Sequence, residues 1–126
     1  MNNLGDRLQV KNLEAVKAVT DNGDSSALDL DGLDGEIAVI VDVKNEAGTL
    51  PTLALKLQHC ETSGGSYTDV TGGGFTSYAA VASVQKISLN RGELHRYVKL
   101  NRVIGGTDDP EYLLSAKVLG VNKYQD

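Results

Sequence analysis

Two histidines and one cysteine are the residues best suited to transition-metal chemistry: His59 and Cys60 are adjacent, and His95 lies 36 positions beyond His59. A copper or zinc site needs three or four such ligands converging on one point. No third ligand stands at a recognisable spacing, so both histidines are expected to be partly exposed strand residues and no metal site is expected. The acidic run DLDGLDGE offers a second possibility, a calcium loop built on Asp29, Asp31 and Asp34. An EF-hand starting at Asp29 requires a bidentate glutamate at its twelfth position, which is Ile40 here, so that loop is excluded. Aspartate and glycine are equally the residues that turn a chain between strands. The Gly72 to Gly74 triplet has the flexibility to wrap a phosphate, but no GK[ST] follows it, and a turn is expected instead. No serine, threonine or cysteine sits in a nucleophile motif. The reading is therefore of a chain without catalytic residues and without a cofactor.

The elements that carry these residues read as strands. In EIAVIVDVK, residues 36–44, Ile37, Val39, Val41 and Val43 alternate against Ala38, Ile40, Asp42 and Lys44. That period of two, in β-branched residues, is the signature of a half-buried strand. TLALKLQHC repeats it with Leu53, Leu55 and Leu57, and a short reversal around Gly48 and Pro51 is expected to join the two. Later strands follow: VQKISL with Ile87 and Leu89, LHRYVKLNRVI with Leu94, Val98 and Leu100, and EYLLSAKVLG with Tyr112, Leu114, Ala116 and Val118. Residues 15–20 and 26–32 give shorter, weaker strands, and residues 11–19 have spacing that also fits a helical turn. Between residues 61 and 83 the chain is polar and glycine-rich, yet contains Tyr67, Val70, Phe75 and Tyr78, so part of it must pack; a short strand over residues 67–70 is expected.

Short strands punctuated by glycine predict an all-β fold, a two-sheet antiparallel β-sandwich with jelly-roll or immunoglobulin-like connections. The 126 residues suffice for one such domain, assigned to residues 15–126, preceded by an N-terminal arm over residues 1–14. The single cysteine leaves the fold to be held by packing, without an internal disulfide. No apolar run reaches the ~20 residues of a spanning helix, and the first residues lack a signal-peptide layout, so a soluble protein made in the cytoplasm is expected.

Charge bears on partners. The net charge of −5 argues against nucleic acid, whose binders carry a basic footprint. Asp21, Asp24, Asp29, Asp31, Asp34 and Glu36 form one acidic stretch, whereas Arg91, Arg96, Lys99 and Arg102 crowd a later one. These are either two solvated faces or surfaces complementary to neighbouring subunits. The arm carries Leu4, Leu8, Val10 and Leu13, more apolar content than a solvated tail requires. These four and the four basic residues are the candidate partner-binding set.

The order of features, ALDLDGLDG, IAVIVDV, LALKLQHCETSGGSYTDV, HRYVKLNRVIGGTDDPEY and LLSAKVLG, resembles a family of tailed-phage capsid decoration (cement) proteins over residues 26–121. Its most characteristic piece is RYVKLNRVIGGT, a strand feeding a Gly-Gly turn before the last strand. The resemblance implies a virion structural protein on the capsid surface, synthesised in the bacterial host cytoplasm. It implies the major capsid protein as partner, a dimer or trimer of the chain itself, and no catalytic residues. Related proteins at phage necks and tails, and carbohydrate-binding sandwich modules, are the alternatives. Sugar sites stack rings on exposed aromatics; with five tyrosines, one phenylalanine and no tryptophan the platform is poor.

Overall fold

Alternating apolar residues carry two strands far past the usual ~5–6 residues. In the computed structural model, which describes residues 8–122, β4 (Leu33–Cys60) is 28 residues long and β7 (Tyr97–Asn122) is 26. The remaining strands are β1 (Leu8–Val19), β2 (Gly23–Asp24), β3 (Leu28–Asp29), β5 (Thr68–Gly74) and β6 (Ala82–Asn90). A single 3-10 turn, Arg91–Glu93, is capped by the Asn90 side chain, which accepts from the Gly92 N–H.

All pairings are antiparallel, and β4 and β7 are partners from Leu33↔Asn122 to Cys60↔Tyr97. The long pair bends midway, so each strand serves both layers of a sandwich. The early part of β4 lies between β6 and the late part of β7, which pairs outward with β1. The late part of β4 lies between β5 and the early part of β7, which pairs outward with β2 and β3. Across one layer the order is β1, β7, β4, β6; across the other it is β2/β3, β7, β4, β5. That is the jelly-roll arrangement of two interleaved Greek keys, and it decides against immunoglobulin-like connectivity.

The inward residues form one core. Ile37, Val39, Val41, Val43, Tyr112, Leu114, Ala116 and Val118 from the first layer meet Leu53, Leu55, Leu57, Val98 and Leu100 from the second. Each lies on the side that the period of two assigns to it.

The reversal expected around Gly48 and Pro51 is instead a bend in a continuous strand, and Gly105 and Gly106 play the same part in β7. The ladder slips at Asn45/Ala47, Ala47/Thr49 and Thr49/Thr52, the bulges that let a strand leave one layer for the other. Gly48 has φ +111, and a Cβ there would lie 2.7 Å from the Pro110 Cα, so the close crossing needs glycine. Asn45 Nδ2 donates to Ala47 O (2.8 Å) and Glu111 O (3.1 Å), fastening the two strands at the bend.

Three further expectations change. The arm boundary at residue 14 falls inside β1, where residues 8–14 pair with residues 116–121 of β7; Leu4 lies outside the described residues. The helical spacing over residues 11–19 belongs to that strand, whose two bulges break simple alternation. The Gly72–Gly74 triplet is part of β5: Gly73 is buried against Val70 and Leu57, where a side chain would collide.

Candidate interaction surface

The basic residues of β7 and its approach find partners within the chain. Arg96 grips Asp29 with two parallel bonds, Nε to Oδ1 and Nη2 to Oδ2, both 2.9 Å. Those bonds hold the Asp29 carboxyl down at about 2, against the opposing pull of partial burial. Arg102 donates to Asp21 O at 3.0 Å and points inward to Glu14. Arg91 donates to Leu30 O (3.4 Å) and Leu94 O (2.9 Å), and the Lys99 ammonium sits 4.4 Å from the centre of the Tyr67 ring. Pairing of β2 and β3 with β7 brings the acidic stretch against the basic one, and Asn101 adds a bond to Asp24 at 2.8 Å. The charge complementarity legible in the sequence is thus met within the molecule, between neighbouring strands.

The apolar candidates divide similarly. Leu13 is in the core and Leu8 is half-buried, whereas Val10 is exposed. Only Val10 of the three described leucine and valine candidates presents a free apolar surface.

The structure does bring the two histidines together. His59 is the penultimate residue of β4, opposite Val98, and the turn before β7 carries His95 to a ring-centre distance of 4.2 Å. The His95 backbone N–H donates to His59 Nδ1 at 3.1 Å, and His95 Nδ1 pairs with the Glu61 carboxylate. Burial, and then the nearby His95, push the His59 pKa below its usual 6.5. Among the described residues no group of three or more His, Cys, Asp and Glu is arranged to hold a metal. Asp29 is engaged by Arg96, and Asp34 accepts the Gly35 N–H at 2.9 Å.

The surface that sequence reasoning missed lies at the bend. Leu50 is 86% exposed and has φ +48, a left-handed conformation that a leucine rarely adopts. Asp108 (φ 60) and Asp109 (φ 53) on the facing segment are the other non-glycine residues with positive φ among the described residues. Beside Leu50 runs an open groove of about 350 Å³ lined by Gly48, Pro51, Thr52, Ala79 and Ala80. Thr49 Oγ1 donates to the Asp108 carboxylate and ties the two segments together. The charged residues of the two segments, 46–51 and 105–110, are Glu46, Asp108 and Asp109, all acidic.

No protein-family model matches the chain, and no curated protein matches it in sequence. Solved structures do share the fold. The SPBc2 prophage-derived protein YomS is similar at 12% identity and TM-score 0.54, over 90% of this chain and 93% of that one. The infectious bursal disease virus VP2 subviral particle is similar at 11% identity and TM-score 0.56, over 92% of this chain and 32% of that chain. The PBSX exported protein XepA is similar at 13% identity and TM-score 0.51, over all of this chain and 41% of XepA. At these identities the likeness is one of fold. A viral particle protein, a prophage-derived protein and an exported protein are thus among the structures that share this sandwich.

Proposed function

We propose that the chain is a virion structural protein that decorates and stabilises a tailed-phage capsid by binding major capsid subunits, as a dimer or trimer, and that it catalyses no reaction. One observation carries this reading: a single jelly roll of this size accounts for nearly the whole of a prophage-derived protein, YomS. Support also comes from the ordered features that resemble decoration proteins, and from large apolar side chains left exposed, Leu50 at the bend the most exposed of them, with Val10, Val16 and Val84 elsewhere. The carbohydrate-binding alternative is disfavoured by the rings themselves. Tyr67 has Lys99 against it, and Tyr97 has the Arg96 guanidinium 5.2 Å from its centre, so a sugar would compete with a cation for each.

Electron cryo-microscopy of phage particles purified from cells that produce this chain tests the proposal. Sandwich-shaped density on the outer capsid surface is the expected result. Density at the neck or tail would move the assignment there, and particles without the chain would end the virion reading.

A further inference from the structure

Leu50 is costly to the fold on two counts. Its side chain is 86% exposed, so it contributes almost nothing to the core, and its φ of +48 suits glycine or asparagine better than leucine. Strained backbone persists where the surroundings hold it, and it gathers at binding sites. The surroundings here do hold it. Gly106 packs its backbone against Leu50 O and Pro51, Gly48 against Pro110, and the Thr49–Asp108 bond joins the two segments. The tip is therefore presented in one conformation before any partner arrives, which lowers the entropy cost of docking.

We propose that Leu50 and the groove beside it dock a protein surface bearing an apolar pocket rimmed by lysine or arginine. The side chain supplies an apolar anchor, while Pro51, Ala79 and Ala80 give the anchor an apolar border. Charge selects the partner. Glu46, Asp108 and Asp109 lie on the two segments that form the bend, and among the described residues only Glu46 of the three is ion-paired, with Lys44 at 3.7 Å. A second copy docking tip to tip would set these carboxylates against one another, on top of a net charge of −5 per chain. A basic rim meets them instead. The inference rests on the virion reading, and it places the capsid-facing surface at this bend.

The test is co-sedimentation of the purified full chain with capsids stripped of it, across a range of salt concentrations, together with thermal melts. Leu50→Asn relieves the backbone strain and removes the anchor. It should melt at or above the wild-type temperature and bind at least about tenfold more weakly, the loss of one buried leucine. Leu50→Met keeps the apolar bulk and should bind within about threefold of wild type, since the two are near in volume. Asp109→Asn keeps a residue suited to positive φ and removes one charge; binding should weaken by about two- to fivefold and depend less on salt. Leu50→Asn binding as tightly as wild type would overturn the tip alone. Wild-type protein that does not sediment with the stripped capsids would overturn both this inference and the virion reading. A wild-type dimer that Leu50→Asn converts to monomer would overturn the assignment to a basic partner.

Discussion

Glu14 on β1 and Arg102 on β7 face each other across the interior from opposite layers, with Glu14 Oε1 3.7 Å from Arg102 Nη1. Lys17 approaches the same oxygen at 3.6 Å, and neither distance is short enough for a hydrogen bond. Glu14 Oε1 is buried and without a hydrogen-bond partner, and these two cations are the charges set beside it.

Removing one partner of such a buried pair should cost more than removing both. Arg102→Ala should lower unfolding stability by about 3 kcal/mol, because the carboxylate is then left desolvated with only Lys17 nearby. Arg102→Met combined with Glu14→Leu should lose less than the single variant. Denaturant titration of these variants, with Arg102→Met and Glu14→Leu measured singly to close the cycle, gives the coupling. An Arg102→Ala variant as stable as wild type would show that water solvates Glu14 well enough without the arginine.

The Asp29–Arg96 pair gives an acid signature. The folded Asp29 carboxyl titrates at about 2, below its ordinary 3.8, chiefly because Arg96 hydrogen-bonds its charged form. A depressed carboxylate pKa means that the stabilisation is complete above pH ~4 and is lost as pH falls toward 2. Both side chains are two-fifths or more exposed, so the effect is small. Arg96→Gln should lower the melting temperature slightly at pH 7 and by less at pH 2, where the folded carboxyl is about half protonated. A deficit that persists undiminished at pH 2 would assign the loss to the stacking of Arg96 on Tyr97.

How much of this was legible in the sequence depends on range. Ile37 to Val43, Leu53 to Leu57 and Tyr112 to Val118 announce their inward faces through a period of two, which is local. The stretch NEAGTLP does not announce whether it reverses the chain or bends it, since glycine and proline serve both, and the choice is made by partners some 60 residues away in β7. Arg96 and Arg102 show the same limit. Their charge is visible, but whether it meets Asp29 and Glu14 or another subunit depends on strand pairing. Leu50 was the least legible, because a leucine beside a proline reads as ordinary apolar content, and its exposure and left-handed φ exist only in the folded chain.

The histidine pair predicts a second pH dependence, nearer neutrality. His59 Nδ1 must be unprotonated to accept the His95 N–H, and its pKa lies below 6.5 in the fold. The unfolded chain therefore takes up the proton first, so stability is full above pH 6.5 and falls as pH drops through the folded value. His59→Asn offers an amide oxygen in place of Nδ1 and has no proton to gain. Urea midpoints compared at pH 7.5 and 5.5 should fall less for this variant than for wild type. Equal slopes in the two proteins would show that His59 does not govern the acid response.

The bend itself is open to a sharper test. Strands β4 and β7 serve both layers only because they turn together between residues 45–52 and 105–111, and Gly48 lies where the two backbones cross most closely. Alanine at this position would adopt φ +111 and bring its Cβ within 2.7 Å of the Pro110 backbone. Either the strain is borne or the crossing opens, and an opened crossing separates the core residues Val43 and Leu53 that flank it. Gly48→Ala should therefore destabilise the fold by about 2–4 kcal/mol, combining backbone strain with overpacking. Gly64→Ala, at a position with no atom near the added Cβ and no positive φ, is the matched control and should stay within about 0.5 kcal/mol of wild type. If the two variants unfold at the same denaturant concentration, the crossing has room to relax, and the layers are held by their core alone.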